Sequence, residues 1–417
     1  MLFIMACLAT SAAADVSGNF TYLDNGATVT ITGYPKDAVG EVSIPSTILD
    51  PVTLQNDPVT GIGSRAFYNC PGLTKVTIPS GVASIGNEAF AYCGVLVTVL
   101  IPLSVTSIGG GAFANCFLLE NAVVPGNVLR LENSLFYSCN ALKTASISAN
   151  VNFIGIRVFQ YCSALTSISV DLDNPSFSSA NGVLFDKPKS LLIAFPSGLG
   201  GGYIIPSTVT GIGSRAFFSC KKLEGVTFPA STTSIGQSAF SDSITLLFAN
   251  FMGGAPSLGA SAFSSVAPGF AVYYLDGGSG FPVPPESTWN GYPAVNMGVN
   301  ETPGSSWLLS KGLPANTNLE SDTNGDGVSL LMAHALNLNP YGNLSSNIPK
   351  PVFTANQMSL GFYAGTAGVA YAVECSSDMT HWSTDGVSLS APDANQVRTA
   401  TVPRSGPSCF MRLVVSE

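Results

Sequence analysis

Five cysteines, Cys70, Cys93, Cys116, Cys139 and Cys162, stand 23 residues apart, and a sixth, Cys220, falls later in the same text. Thiols at a fixed spacing admit two chemistries, disulfide pairing and thiolate ligation of a metal. Stacked in register, successive Cβ atoms would lie ~4.8 Å apart, beyond the roughly 3.5–4.5 Å of a disulfide, and every position would carry the same strain. Reduced, buried thiols donating weakly to a nearby carbonyl are therefore expected. Cys375 and Cys409 differ: both lie in strand-like text, Ala370-Tyr371-Ala372-Val373-Glu374-Cys375 and Cys409-Phe410-Met411-Arg412-Leu413. A bridge and two separate thiols are both open there.

Other chemistry is sparse. His334 and His381 lack the flanking text of a Ser-His-Asp or Cys-His device. His334 reads as a partly covered helix residue and His381 as a loop residue beside Trp382. Asp171 and Asp173 could mimic a glycosidase carboxylate pair, but beside Asn174-Pro175 a turn role fits better. No catalytic residue is assigned. Near the C-terminus, Asp322-Thr323-Asn324-Gly325-Asp326-Gly327-Val328 has the D-x-N-x-D-G spacing that converges oxygens of Asp322, Asn324 and Asp326, with the Val328 carbonyl, on a hard cation. The twelfth position, a bidentate Glu in the EF-hand template, is Ala333. Two readings follow: a weak structural Ca2+ site, or an Asx-rich turn capping a helix that begins near Leu330. No other cofactor is expected.

The elements that must position these residues are repeats. Phe67, Phe90, Phe113, Phe136 and Phe159 keep the cysteine beat three places upstream, and it returns at Phe217, Phe240 and Phe263. Such a period marks a solenoid, whose units bury their apolar faces on one another. In one unit Val76 and Ile78 alternate with Lys75 and Thr77 as a half-buried strand, which Pro79 ends. A second extended segment, Val82 to Ile85, closes at Gly86, where a turn can use positive φ. Each coil is thus strand, turn, short strand and a Phe-containing corner, and about nine coils would build a rod with an internal Phe column.

The unit A-F-x-x-C-x-x-L-x-x-V-x-I-P-x-x-V-x-x-I-G, over residues 40 to 295, strongly resembles the BspA-type leucine-rich repeat family of cell-surface proteins. The text from Asn174-Pro175 through Gly182-Val183-Leu184-Phe185-Asp186 to Ile205-Pro206 is similar to that family's hairpin interruption. The resemblance implies a non-catalytic role in adhesion or protein binding and supplies no ligand. The calcium-loop text resembles dockerin-like and thrombospondin type 3 repeats.

The expected organisation is a signal peptide at 1–14, ending Ala12-Ala13-Ala14 before Asp15; an N-terminal cap and first coil at 15–58; and a β-rich leucine-rich-repeat solenoid at 59–296 with a hairpin insertion about 171–204. A Gly- and Pro-rich stretch from Gly277 to Gly304 then leads to a linker and degenerate calcium-loop segment, 297–350, and to a separate small β-sandwich, 351–417, with Trp382 as core anchor. No later run reaches the ~18 apolar residues of a membrane helix. Only 10% of residues are charged, against roughly 25% in ordinary soluble domains. A net charge of −9 with thinly spread Lys and Arg makes nucleic acid an improbable partner. A secreted or cell-surface life fits this composition.

Outward strand positions form two columns. One is Lys75, Thr98, Asn121, Thr144, Ser167 and Gly225; the other is Thr77, Leu100, Val123, Ser146, Ser169 and Thr227. They make a flat, nearly uncharged face with Leu100 and Val123 at its middle, either a docking surface for an extracellular or surface protein or ordinary exposed aliphatics. Glycan binding in a matrix is the alternative, and a glycoside-active enzyme a remote one. The columns hold no aromatic residue to stack on sugars, which favours a protein partner.

Overall fold

The computed structural model describes residues 15–275, 277–282, 287–297, 303–311, 313, 317–322, 324–354, 356–403 and 410–416. The expected signal segment and Cys409, and with it the Cys375–Cys409 pairing, lie outside the described residues. The chain is a β-solenoid of about 10 coils with a small β module at its C-terminal end.

A three-stranded antiparallel meander, Asp15–Ser17, Phe20–Asp24 and Val29–Gly33, opens the array. Its last strand pairs in parallel with Asn56–Ile62, and Val39–Ser43 pairs in parallel with Gly72–Thr77. From there each coil contributes two strands. The longer ones begin with Gly72–Thr77, Thr98–Leu100, Asn121–Val123 and Thr144–Ile147; the short ones run through Ser84–Ile85, Ser107–Ile108, Arg130–Leu131 and Phe153–Ile154. Period-2 alternation decides which side chains enter: Val76 is fully buried while Lys75 and Thr77 are not.

Corners carry the aromatic column. Phe67 stacks on Phe90 with centroids 4.9 Å apart, Phe90 on Phe113 at 5.5 Å, Phe113 on Phe136 at 5.8 Å and Phe136 on Phe159 at 6.0 Å. It resumes as Phe195, Phe217, Phe240 and Phe263. Phe195 marks a coil that the spacing missed, because its corner falls 36 residues after Phe159 and 22 before Phe217. Each regular corner also places two residues at positive φ, such as Arg65 and Asn69 or Glu88 and Tyr92, and only at the Phe113 corner is one of them a glycine, Gly111. Their N–H groups, with that of the Phe between them, donate to the next coil: Arg65 to Asn87 O, Phe67 to Ala89 O and Asn69 to Ala91 O, at 2.9, 2.7 and 2.8 Å. These bonds offset the left-handed backbone.

Gly86 has another reason than the turn expected of it, since it is not among the positive-φ residues. A Cβ there would run into the backbone of Ser64 in the preceding coil, and one at Gly109 would come 2.5 Å from Asn87 N. Glycine is needed so that coils can stack.

The thiols face inward. Cys93, Cys116, Cys139 and Cys162 donate to the carbonyls of Phe67, Phe90, Phe113 and Phe136 at 3.1–3.2 Å. Ser243 occupies the same place and donates to Phe217 O at 2.8 Å, so the position asks for a small donor and not for thiol chemistry. Burial pushes the Cys116 and Cys162 thiols up to about 12.

The insertion after Ser167–Val170 is a hairpin of Phe177–Ala180 and Val183–Asp186, tied down by Asn174. That side chain is fully buried; its Nδ2 donates to Ser148 O and Val151 O while its Oδ1 accepts from Ser176 and Phe177 N–H. Leu191–Ala194 then rejoins the short-strand ladder against Gly211–Ile212.

At the far end Tyr292–Asn296 adds a parallel strand to Ala271–Tyr274. The C-terminal module is two antiparallel sheets. One contains Val352–Phe353, Gln357–Tyr363, Val397–Pro403 and Ser388–Leu389; the other pairs Ala370–Ser376 with Phe410–Ser416. Its core is Met358, Leu360, Phe362, Val373, Ala400, Val402 and Met411. Trp382 is not the anchor expected of it: it lies partly exposed beneath the Arg412 guanidinium, 4.4 Å from the ring centroid.

Phe113→Ala should cost about 3–5 kcal/mol through the cavity it leaves, read by chemical denaturation. Loss below about 1 kcal/mol would contradict an inward column. The raised thiol pKa values stabilise the folded state below the unfolded thiol value of about 8.5, and that stability falls as pH rises above it. Alkylation of any of the six buried repeat thiols, Cys70 to Cys162 and Cys220, before unfolding in mildly alkaline buffer would contradict their burial.

Candidate protein-binding face

Strand register places the two outward columns as the sequence reading laid them out across the first half of the rod. Lys75 is opposite Thr98 and Thr77 opposite Leu100; Asn121, Thr144 and Ser167 align, as do Val123, Ser146 and Ser169. Lateral bonds knit the columns: Thr144 Oγ1 donates to Asn121 Oδ1 at 3.1 Å and Ser169 Oγ to Ser146 Oγ at 3.2 Å. Lys75 pairs with Glu41 at 2.9 Å at one end. Leu100 is 54% exposed and Val123 68% exposed.

Between these two residues the sheet is open. Thr98–Leu100 ends one sheet and Asn121–Val123 begins another, and the short strands part at the same level, Ser107–Ile108 from Arg130–Leu131. Only the contact of Glu120 N with Val97 O, 3.4 Å, spans the longer strands, whereas the corner bonds Phe90 N to Ala112 O and Tyr92 N to Ala114 O stay at 2.8 Å. A recess of about 320 Å³ results, lined by Val97, Thr98, Leu100, Ile101, Asn121 and Val123.

Residue 132 explains the opening. The stacking glycine recurs as Gly86, Gly109, Gly155, Gly236 and Gly259, and at each a Cβ would meet the preceding coil's backbone within 2.7 Å. The equivalent in the opened coil is Glu132. Its Cβ has no room at the regular spacing, so the coil stands off on the strand sides while its corner stays bonded. The Glu132 carboxylate turns outward to Arg130 at 2.7 Å, and Arg130 covers the Phe153 ring at 3.8 Å.

Residues 60–182 and 202–268 match the sequence profile of the BspA type leucine rich repeat region, in six copies. Those two stretches carry BspA-type leucine-rich repeats. No curated protein matches the chain. Among solved structures, the pneumococcal vaccine antigen PcpA superposes with a TM-score of 0.51 at 19% identity, covering 63% of this chain and 82% of that one. A leucine-rich repeat protein from Eubacterium ventriosum gives 0.46 at 22% identity, covering 63% and 78%. A leucine rich cell surface protein from Faecalibacterium prausnitzii gives 0.44 at 23% identity, covering 74% and 100%.

In the second half of this BspA-type array the outward face is not free. Gly225 and Thr227, read as continuing the exposed columns, are buried, and Asn250 in the next coil is wholly covered. The segment after the rod folds back across them: Trp307, Leu308, Leu313, Leu330 and Leu344 form one apolar cluster with Phe248. Tyr341 lies so close that a Cβ at Gly201 or Gly202 would strike its ring or hydroxyl. The described residues between 303 and 344 therefore dock on the strand face, where a linker was expected. Sequence spacing could not show this, because covered and uncovered coils share one pattern; the aromatic Phe248 and Tyr273 at outward positions were the available signal.

Within that segment the side-chain oxygens of the predicted calcium loop accept backbone N–H groups. Asp326 N is shared by Asp322 Oδ1 at 3.2 Å and Asn324 Oδ1 at 3.3 Å, while Asp326 accepts from Val328 N and Leu344 N at 2.9 and 2.5 Å. These N–H groups hold the Asp326 carboxyl below its usual range, the Leu344 bond most strongly. Leu330–Ala335 is helical, and its N-cap is Ser329 rather than an acid of the loop. Ala333 is buried and gives no oxygen. His334 is almost wholly buried against Trp307, centroids 4.9 Å apart, more deeply than the partial cover expected; exposed His381 pairs with Asp378 at 2.7 Å. Asp171 accepts the Asp173 N–H in a turn. No helix among the described residues is long and apolar enough to cross a membrane.

Glu132→Gly should close both ladders, stabilising the chain by about 1–2 kcal/mol as restored backbone bonds outweigh glycine's entropy. Amide exchange near Ala122 and Leu131 should slow in parallel. Unchanged stability and exchange would refute Glu132 as the wedge.

Proposed function

We propose that this chain is a non-catalytic secreted or cell-surface scaffold that binds an extracellular protein through the uncovered strand face from Lys75 to Ser169. The observation that carries this reading is the asymmetry of the face. Where residues 303–344 lie on it, it buries apolar side chains against an independent segment; the uncovered half has the same register and an apolar, opened centre at Leu100 and Val123. Opened strands with a polar rim and aliphatic centre suit a polypeptide better than a sugar, which stacks on aromatic rings.

Leu100→Asp with Val123→Asp should leave folding intact, since both side chains point to solvent, and weaken capture of a surface-protein partner by at least about tenfold. The readout is titration of the full chain and the double variant against the captured species. Equal binding by both removes this face from the proposal, and robust glycan-array binding lost in the variant would reassign it to carbohydrate.

The loop is proposed as a weak structural Ca2+ site held by Asp322, Asn324, Asp326 and the Val328 carbonyl. A bound ion would tie residues 322–328 together and stiffen the segment covering the face. About 5 mM CaCl2 should raise the melting temperature of the wild type and not of Asp326→Asn. No shift in the wild type would leave only the Asx turn.

A further inference from the structure

The array has a second interruption, on the corner side. Leu192 aligns through Ile212 with Ile235 in the short-strand ladder, yet Phe195 follows Leu192 by three residues where Phe90 follows Ile85 by five. That coil lacks the two-residue bulge which Asn87 and Glu88 form elsewhere. Ser197 and Gly198 still stack directly on Cys162 and Leu165 through 2.7 Å bonds, so the coil is closed at one side and gapes at the other.

A cavity of about 280 Å³ fills the missing corner, with Ile154, Phe159, Ile193 and Phe195 among its apolar walls. Phe159 is left partly exposed, unlike Phe67, Phe90 and Phe113.

What lines this gap is one-sided. Arg157 and Arg215 are its only ionisable lining residues, in a chain of net charge −9. Neither has a carboxylate in ion-pair range among the described residues, whereas the equivalent Arg65 holds Glu88 at 2.6 Å across the regular corner. Ser134, Phe136 and Ser138 each donate N–H to the next coil, at 2.9, 3.0 and 2.8 Å; Arg157, Phe159 and Tyr161 make none of the three corresponding bonds. Gln160 Nε2 is enclosed and has no partner among the described residues. Guanidinium, backbone N–H and amide are all donors, and Arg157 and Tyr161 keep the positive φ that at other corners aims N–H groups at the following coil.

We propose that this corner cleft binds a carboxylate carried on an apolar body, its carboxylate between Arg157 and Arg215 and its apolar part against Phe159 and Phe195. The chemistry repeats what Glu88 and Phe90 do for Arg65 and Phe67 at a regular corner. It is served by a free aromatic acid or by a glutamate beside an aromatic residue on a peptide.

The test uses the full chain and three probes: 3-phenylpropionate, its uncharged amide, and the peptide Asn-Glu-Ala-Phe-Ala-Tyr, which copies residues 87–92. Titration with ligand-observed NMR should show the acid binding near about 1 mM or tighter and the amide at least about tenfold weaker. Arg157→Gln with Arg215→Gln, checked for an unchanged melt, should weaken the acid by a similar factor. Peptide binding tighter than the free acid points to a protein side chain as the natural source, and the reverse order to a small organic acid. Equal affinity for acid and amide, no acid binding by about 10 mM, or full affinity in the folded double variant overturns the site. The amide comparison needs no variant, so it decides even if the arginine pair is required for folding.

Discussion

Backbone contact between successive coils is the constraint on which the rest of this molecule depends. Coils one strand-spacing apart leave no volume for a side chain aimed along the rod, so such positions must be glycine, as at Gly86, Gly109 and Gly155, or must present an N–H to the neighbouring carbonyl. Side chains are confined to two directions. Inward they become the Phe, Leu and Cys columns; outward they become the polar strand face. The inward columns supply apolar burial, but the spacing that lets each ring lie on the next is set by the ladder.

Both features of functional interest are failures of that stacking rule. At Glu132 a residue with a Cβ sits in a glycine position, and the strand ladders part while the corner holds. At Leu192–Phe195 the chain is two residues short, and the corner bonds fail while Ser197 and Gly198 stay bonded to Cys162 and Leu165. The first exposes strand edges and aliphatic side chains; the second exposes N–H groups and two guanidiniums with no ion-pair partner among the described residues. A perfectly periodic rod would present neither gap.

Much of this architecture was legible in the text. Phe67 to Phe159 and Cys70 to Cys162 gave coil length, core direction and strand register, because a tandem repeat makes tertiary neighbours of residues a fixed interval apart. The outward positions of Leu100 and Val123 followed from period-2 alternation. The coil at Phe195 was not legible, since a shortened corner leaves no residue in phase. Nor was the reason for Gly86, because a positive-φ turn and a forbidden Cβ ask for the same residue. Trp382 was misplaced because an aromatic in strand-rich text fits a core and a cation-covered surface equally well.

The sequence by itself determined the repeat, its register, the inward thiols and the polar character of the outer face, all of which are set by local periodicity and nearest-neighbour stacking. Only the tertiary structure decided which part of that face is free. The return of Trp307, Leu308 and Tyr341 over the coils around Gly202 and Phe248 is a contact between segments of different pattern, and no interval in the text encodes it. The two gaps likewise exist only in three dimensions, where a single Cβ or a two-residue shortening is measured against the next coil.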